Sequence, residues 1–327
     1  ISMRDETHSV AIHGGYVYIA DGFSGLHILD VGSMETPPVT ASIPMPDGPR
    51  GVAMSKNHAY IADGLSGIQV VEIGRPAMPR IVGSMDTPGA AWGVCLSGDY
   101  AYVGDGPSGL HVVELHRPES LEIVGTVDTP GDAHGVAVSG DYAYVADWAS
   151  SGLQIVDISE PTSPVIVASV LTPGSAIDVA LCGGYAYVAD FDGGLQVVDV
   201  SDPESPAIAG SIATPDLALG IAVHESLAYL AVRYAGLYII DISTPESPTV
   251  VGILDTPGYT WAVTVSGGVA YVAEGEMGFQ VVDVGTPEAP SIIGSILTLS
   301  GAVDVAASED RVLIVDYYSG LNVVRPQ

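Results

Sequence analysis

The sequence predicts an all-β fold, an eight-bladed β-propeller of four-stranded antiparallel blades spanning residues 1–327 as one domain, and three observations predict it. One short phrase recurs at a nearly fixed interval, with an acid closing one apolar run and a glycine opening the next. The acid position falls at Asp21, Asp63, Asp105, Asp147, Asp190, Val232, Glu274 and Asp316, a step of 42 residues with one extra residue before Asp190. Periods of about 40 to 45 residues, each holding several strands, are the signature of propellers. The apolar runs alternate with period two and favour β-branched residues, as half-buried strands do. The 40 glycines and 23 prolines among 327 residues suit many short strands joined by tight turns.

Residues 134 to 175 give the elements of one blade in order. The stretch HGVAVSG is strand A, Gly140-Asp141 turns the chain, and YAYVAD is strand B. A loop leads to GLQIVDI, strand C; SEPTSP carries the chain to VIVASV, strand D; and LTPGS begins the next blade. Gly, Asp and Pro punctuate these runs because each supplies a turn conformation that strand residues avoid. Copies of strand A begin at His8, Arg50, Trp92, His134, Ile177, Leu219, Trp261 and Val303, whereas strand D occurs seven times, near Val39, Ile81, Ile123, Ile166, Ile208, Val250 and Ile292. The last blade therefore lacks its outer strand. Because Ile1-Ser2-Met3 resembles Gly83-Ser84-Met85, the N-terminal residues are expected to supply that strand and close the ring.

The strand C segments LHILD, IQVVE, LHVVE, LQIVD, LQVVD, LYIID and FQVVD, most followed by a proline turn such as VSDPESP, resemble the LVIVD repeat along essentially the whole chain. That resemblance implies a surface or secreted propeller of bacteria or archaea, extracellular or at the cell surface, often one module of a larger protein. It brings no catalytic residues with it.

Charge narrows the partners. With 39 acids against 9 bases the net charge is -30, and Lys56 is the single lysine, so nucleic acid is excluded as a partner because phosphate binding needs clustered Lys and Arg. The acidity keeps an apolar protein soluble, and it would also attract cations, basic proteins or Ca²⁺; no cofactor is expected. No apolar run is long enough to span a bilayer, and no signal peptide is visible at Ile1. Cys95 and Cys182 stand two blades apart at different repeat positions, so no bridge is expected between them.

Where the copies agree, the residue serves the fold. The repeated acid is expected to accept backbone N–H groups within its own DGxSG turn. The tyrosine three residues before it is expected to pack between blades. The departures from the repeat collect on one face, that of the D–A and B–C loops. There stand Arg50, Trp92, His134, Trp261 and His8 at the starts of strands A, and Phe23, Trp148, Phe191, Tyr234 and Tyr317 in the B–C loops. All three tryptophans of the chain fall on this face. Trp92 and Trp261 belong to opposite blades and are expected to bracket the channel mouth. Aromatic rims hold sugars, peptide side chains or organic cations.

The leading expectation is a non-enzymatic recognition or scaffold module that binds a glycan or a partner-protein peptide through this rim. Two His–carboxylate neighbours, His134 with Asp178 and His8 with Asp304, raise a second, a hydrolase or lyase at the channel mouth or a metal held there. No GxSxG elbow, HExxH or P-loop motif accompanies them. A third reading is a purely structural repeat module.

Overall fold

A computed structural model describes residues 9–13, 16–21, 25–30, 39–43, 45–47, 50–55, 57–75, 78–149, 151–266, 268–274, 279–296, 305–308, 311–316 and 320–324. Among them no helix occurs, and the strands form seven four-stranded antiparallel sheets followed by one of three strands. Within every sheet the strands pair in chain order, so each sequence repeat folds as a meander. In the fourth sheet strand A is Ala133–Ser139, B is Tyr142–Asp147, C is Gly152–Asp157 and D is Val165–Val170, close to the expected boundaries. Strands A of successive sheets neighbour one another, and strand A of the last sheet neighbours strand A of the first. The chain is thus a β-propeller whose sheets are blades about an axis. Residues 1–8, to which the sequence assigns the closing strand, lie outside the described residues.

Blades hold together because both faces of each sheet are covered by neighbours. Strands B read as nearly continuous buried runs: Tyr102, Val103 and Gly104 in one blade, Tyr144 to Asp147 in the next. The strand B tyrosines pack between blades, as the sequence led us to expect, and each turns toward the blade that follows. Tyr102 joins Ala133, Ala143 and Val145 of the following blade, and Tyr144 joins Val179, Ala186 and Val188 of the one after. Burying a side chain of this size contributes roughly 2 to 3 kcal/mol.

Close approach at both ends of the blade dictates glycine. In strand D of the third blade a register shift opposite Val112 and Val113 marks a bulge, and a Cβ on Gly125 beside it would lie 2.1 Å from the Pro161 carbonyl oxygen of the next blade. In strand A of the same blade a Cβ on Gly93 would lie 2.4 Å from the His134 carbonyl oxygen. Side chains shrink toward the axis because the next blade's main chain is already there.

The repeated acid has a different role from the one expected. The DGxSG turn closes on its own main chain: Ser66 N–H donates to the Asp63 carbonyl at 2.9 Å and Gly67 N–H to the Gly64 carbonyl at 3.2 Å. Its donors are used, so the carboxylate turns instead to the Thr-Pro-Gly segment that brings the chain in from the previous blade. Thr129 Oγ1 donates to Asp147 Oδ1 at 2.7 Å and Gly131 N–H to Oδ2 at 2.9 Å, and Thr172 with Gly174 holds Asp190 in the same way. Asp105, Asp147 and Asp190 are fully buried. Each clamps the D–A loop that enters its blade.

The sixth blade tests the pairing by losing one partner. Val232 replaces the acid, and the Thr214 hydroxyl donates instead to the Asp216 carbonyl at 2.6 Å. A buried acceptor stripped of its donor costs roughly 1 to 3 kcal/mol. Thr172→Val should lower unfolding free energy by that amount in urea titrations, and Thr214→Val by clearly less. Equal losses would show that the buried carboxylate gives the hydroxyl no special value.

Candidate functional site

The face built by the D–A and B–C loops carries two rows of stacked side chains. The first runs across four blades. The Arg50 guanidinium lies 3.8 Å from the Trp92 ring centroid; Trp92 stacks on His134 at 4.3 Å and 12°; His134 stacks on Trp148 at 5.5 Å and 14°; and Trp148 meets Phe191 edge-on at 4.8 Å and 69°. The second row lies on blades six and seven. Arg233 stands 5.1 Å from the Tyr234 ring, Tyr234 meets Tyr259 edge-on at 5.1 Å, and Tyr259 tilts against Trp261 at 4.5 Å. Such contacts contribute about 0.5 to 1.5 kcal/mol each beyond burial.

Local backbone explains how large residues reach this position. The residue after the acid is Gly64 in the second blade and Gly106 in the third, with φ of 53° and 54°. Phe191 occupies the same place at φ 47°, a left-handed conformation that costs a residue with a Cβ roughly 1 to 2 kcal/mol. Its neighbours compensate: Phe191 N–H donates to the Ala218 carbonyl and accepts the Ala218 N–H in return, at 3.1 and 2.8 Å. The fourth blade takes another route, for its one extra residue falls in the B–C loop, where Ala149 has φ 64° and Trp148 N–H donates to the Asp132 carbonyl at 2.9 Å. The insertion visible in the repeat spacing thus sits beside Trp148.

Electrostatics differ between the rows. His134 is half-buried, and burial together with the Arg50 charge holds its pKa down to about 4, so the imidazole between the two indoles is neutral at physiological pH. In the second row Arg233 is fixed by Asp216, Nη2 to Oδ1 at 2.7 Å and Nε to Oδ2 at 3.2 Å, while Leu217 and Tyr234 N–H groups also donate to Asp216. The Arg233 hydrogen bond holds the Asp216 carboxyl below its usual range against the effect of burial.

The expected site residues are thereby sorted. Arg50, Trp92, His134, Trp148 and Phe191 form one row, and Tyr234 and Trp261 belong to the other. His8, Phe23, Asp304 and Tyr317 lie outside the described residues. Trp92 and Trp261 form no common pair; each is built into its own row. His134 and Asp178 do not pair either. The Asp178 carboxylate accepts Val179 N–H at 2.8 Å and Ile221 N–H at 3.0 Å, standing in for a main-chain acceptor between blades five and six, while His134 turns to the indoles. Burial still raises Asp178 to about 6, with both N–H donors opposing it. Among the described residues no group of three His, Cys, Asp or Glu could hold a metal, and Cys95 and Cys182 are both free thiols. Tyr259 escaped the sequence reading. Its signal was a departure from Ala90, Asp132, Ser175 and Leu217 at the same place in other repeats.

Two of the buried carboxylates beneath this face lack a full set of donors. In the second blade Met45 stands where other repeats have threonine, Asp63 Oδ1 has no partner among the described residues, and burial pushes Asp63 up to about 7. In the seventh blade Glu274 replaces aspartate and is fully buried; among the described residues neither of its oxygens has a hydrogen-bond partner, and the Thr256 hydroxyl pairs with that of Thr260 at 2.9 Å. Burial raises Glu274 to about 7, with Thr256, Gly258 and Gln280 near enough to offset only part of the shift.

The LVIVD repeat model matches residues 6–43, 49–87, 88–129, 130–172, 173–214, 217–256 and 257–298. Among curated proteins no match is found. Among solved structures the chain is similar to the computationally designed Ika8 protein, with TM-score 0.79, 9% identity, and 99% and 97% of the two chains covered. It is similar also to Chaetomium thermophilum Sqt1 bound to the N-terminus of ribosomal protein L10, with TM-score 0.77, 12% identity, and 98% and 97% covered. BamB from Moraxella catarrhalis aligns with TM-score 0.66, 13% identity, and 97% and 93% covered. At these identities the likeness is one of fold.

The Glu274 shift sets a pH dependence of stability. Between its ordinary value of 4.5 and about 7 the native state keeps a proton that the unfolded chain has lost, so stability falls as pH rises through that window, by roughly 3 kcal/mol at most. Glu274→Gln should flatten the decline in denaturant-derived stability between pH 5 and 8. An unchanged slope would mean that Glu274 is solvated or paired in solution.

Proposed function

We propose, from the premise that this chain belongs to the LVIVD repeat family, that it is a non-enzymatic scaffold that captures a segment of a partner protein on the face carrying the two aromatic rows. The observation that carries this reading is the continuous first row, from Arg50 through Trp92, His134 and Trp148 to Phe191, set across four blades at the cost of a left-handed Phe191. A monotonous repeat needs none of these residues for its staples, and strain of this kind collects at functional positions.

A peptide is favoured over a glycan by the state of the rings. Trp92 lies between Arg50 and His134, so its flat faces, which a sugar would need, are already covered. The rows offer edges and rims, which suit an extended chain. Support of a general kind comes from Sqt1, a propeller that binds the N-terminus of a ribosomal protein. We further read the ring as eight-bladed and 1–327 as one domain, because the strand A neighbours run unbroken around all the sheets and return to the first. We read its work as lying outside the cell or at its surface, a reading that rests on the family resemblance alone.

A photo-crosslinking residue separates this face from the other. Leu65 and Tyr234, 74% and 65% exposed, are on the loops of the proposed face, and Met78, 73% exposed, is in a C–D loop on the opposite one. A benzoylphenylalanine at Leu65 or Tyr234 should trap a single partner in extracts of the native host, and one at Met78 should not. Trp148→Ala should reduce trapping about tenfold, the loss of one aromatic anchor, while the protein still unfolds cooperatively with its melting temperature lowered by only a few degrees. Trapping at Met78 alone would move the function to the other face.

A further inference from the structure

Resting on the reading that the aromatic face binds a partner segment, we infer that the segment is basic, presenting arginine or lysine side chains to the two rows and to a frame of free carboxylates around them. Asp86, Asp128, Asp192 and Asp255 are all exposed on the D–A and B–C loops, and among the described residues no hydrogen bond or ion pair engages any of their carboxylates. Asp47 and Asp132 stand half-buried among them. The described cations on this face are Arg50 and Arg233, and both are committed, one over Trp92 and the other to Asp216. What remains for an incoming chain is negative.

The field of these acids reaches the buried layer beneath. Burial raises Asp147, Asp190 and Glu274 most, and the charges of Asp132, Asp192 and Asp255 respectively add to it; at Asp63 the Asp47 charge acts in the same sense but is outweighed by the Asp47 N–H donated to the carboxylate. Three separate carboxyls under one face thus respond to negative charge on the loops above them. The protein also displays on itself the contact that a basic partner would make. Arg50 rides on an indole and Arg233 on two phenols, so guanidinium on aromatic is the chemistry these loops already support. Tyr234 is open to accept another cation, and an arginine laid along the row would place its charge among the aspartates. An acidic segment would meet uncompensated like charge, which costs affinity and slows encounter.

The test uses the full chain with two short fluorescein-labelled peptides, one of arginine and serine and one of glutamate and serine, by fluorescence anisotropy. Two charge-matched variants separate this face from the acidity of the molecule as a whole. One carries Asp86→Asn, Asp128→Asn, Asp192→Asn and Asp255→Asn; the other carries Glu119→Gln, Asp141→Asn, Glu160→Gln and Glu288→Gln, exposed acids of the opposite face. The basic peptide should bind and the acidic one should not, with affinity falling as salt rises. The first variant should bind about tenfold more weakly and the second within about twofold of the parent. Equal weakening by both variants, or binding of the acidic peptide, would overturn the inference. Partner trapping from Leu65 that is lost in Trp148→Ala but unchanged in the first charge variant would also overturn it, while leaving the recognition face standing.

Discussion

The buried carboxylate at the end of strand B is the interaction on which the arrangement turns. A propeller blade is a plain antiparallel meander, and nothing in its ladder specifies how the chain should enter from the blade before. The acid supplies that instruction. By accepting a threonine hydroxyl and a glycine N–H from the incoming loop, it fixes the loop's height and direction over the next strand A. Four residues of the first row, Trp92, His134, Trp148 and Phe191, sit on or beside a loop held in this way. Trp92 follows the segment clamped by Asp105, His134 the segment clamped by Asp147, and Trp148 adjoins Asp147 itself. The rings stack across blades because their loops are set to a common level.

Strands, meander order and the packing of tyrosines between blades were legible in the sequence because they depend on patterns short enough to repeat inside 42 residues. Alternation identifies the strands, and a tyrosine at a constant place in strand B has only the next blade to pack against. The role of the acid was misread for an equally physical reason. The DGxSG turn and the Thr-Pro-Gly loop each look self-sufficient as turns, and the bond between Thr129 and Asp147 joins residues 18 apart that only the assembled blade brings together. The His134 and Asp178 reading failed one level further on. Their places at the starts of adjacent inner strands were correct, but position on a strand does not say which way a side chain turns, and two main-chain N–H groups compete for Asp178 more effectively than an imidazole already held between indoles.

The two rows also explain how an acidic protein built from strands and loops can offer a specific surface. Loops are adaptable by default, and adaptable aromatics would lose much of their binding energy to ordering. Here the rings brace one another before anything arrives: His134 has a tryptophan on each side, and Arg233 is anchored by Asp216 before it reaches the tyrosines. The buried acids below carry raised pKa values in the blades that also bear Arg50 and Trp261, Asp63 in the second and Glu274 in the seventh.

The sixth blade carries a consequence for descent. Tandem copies of one unit begin with the same staple in every blade, and a ring held by many equivalent clamps tolerates the loss of one. Where Val232 took the place of the acid, Thr214 turned to its own loop, and Asp216 and Arg233 met as a new pair on the outer face. A redundant structural bond was exchanged for a charged group beside an aromatic row. Duplication in such a ring supplies spare parts, and novelty arises where a copy is released from its share of the load.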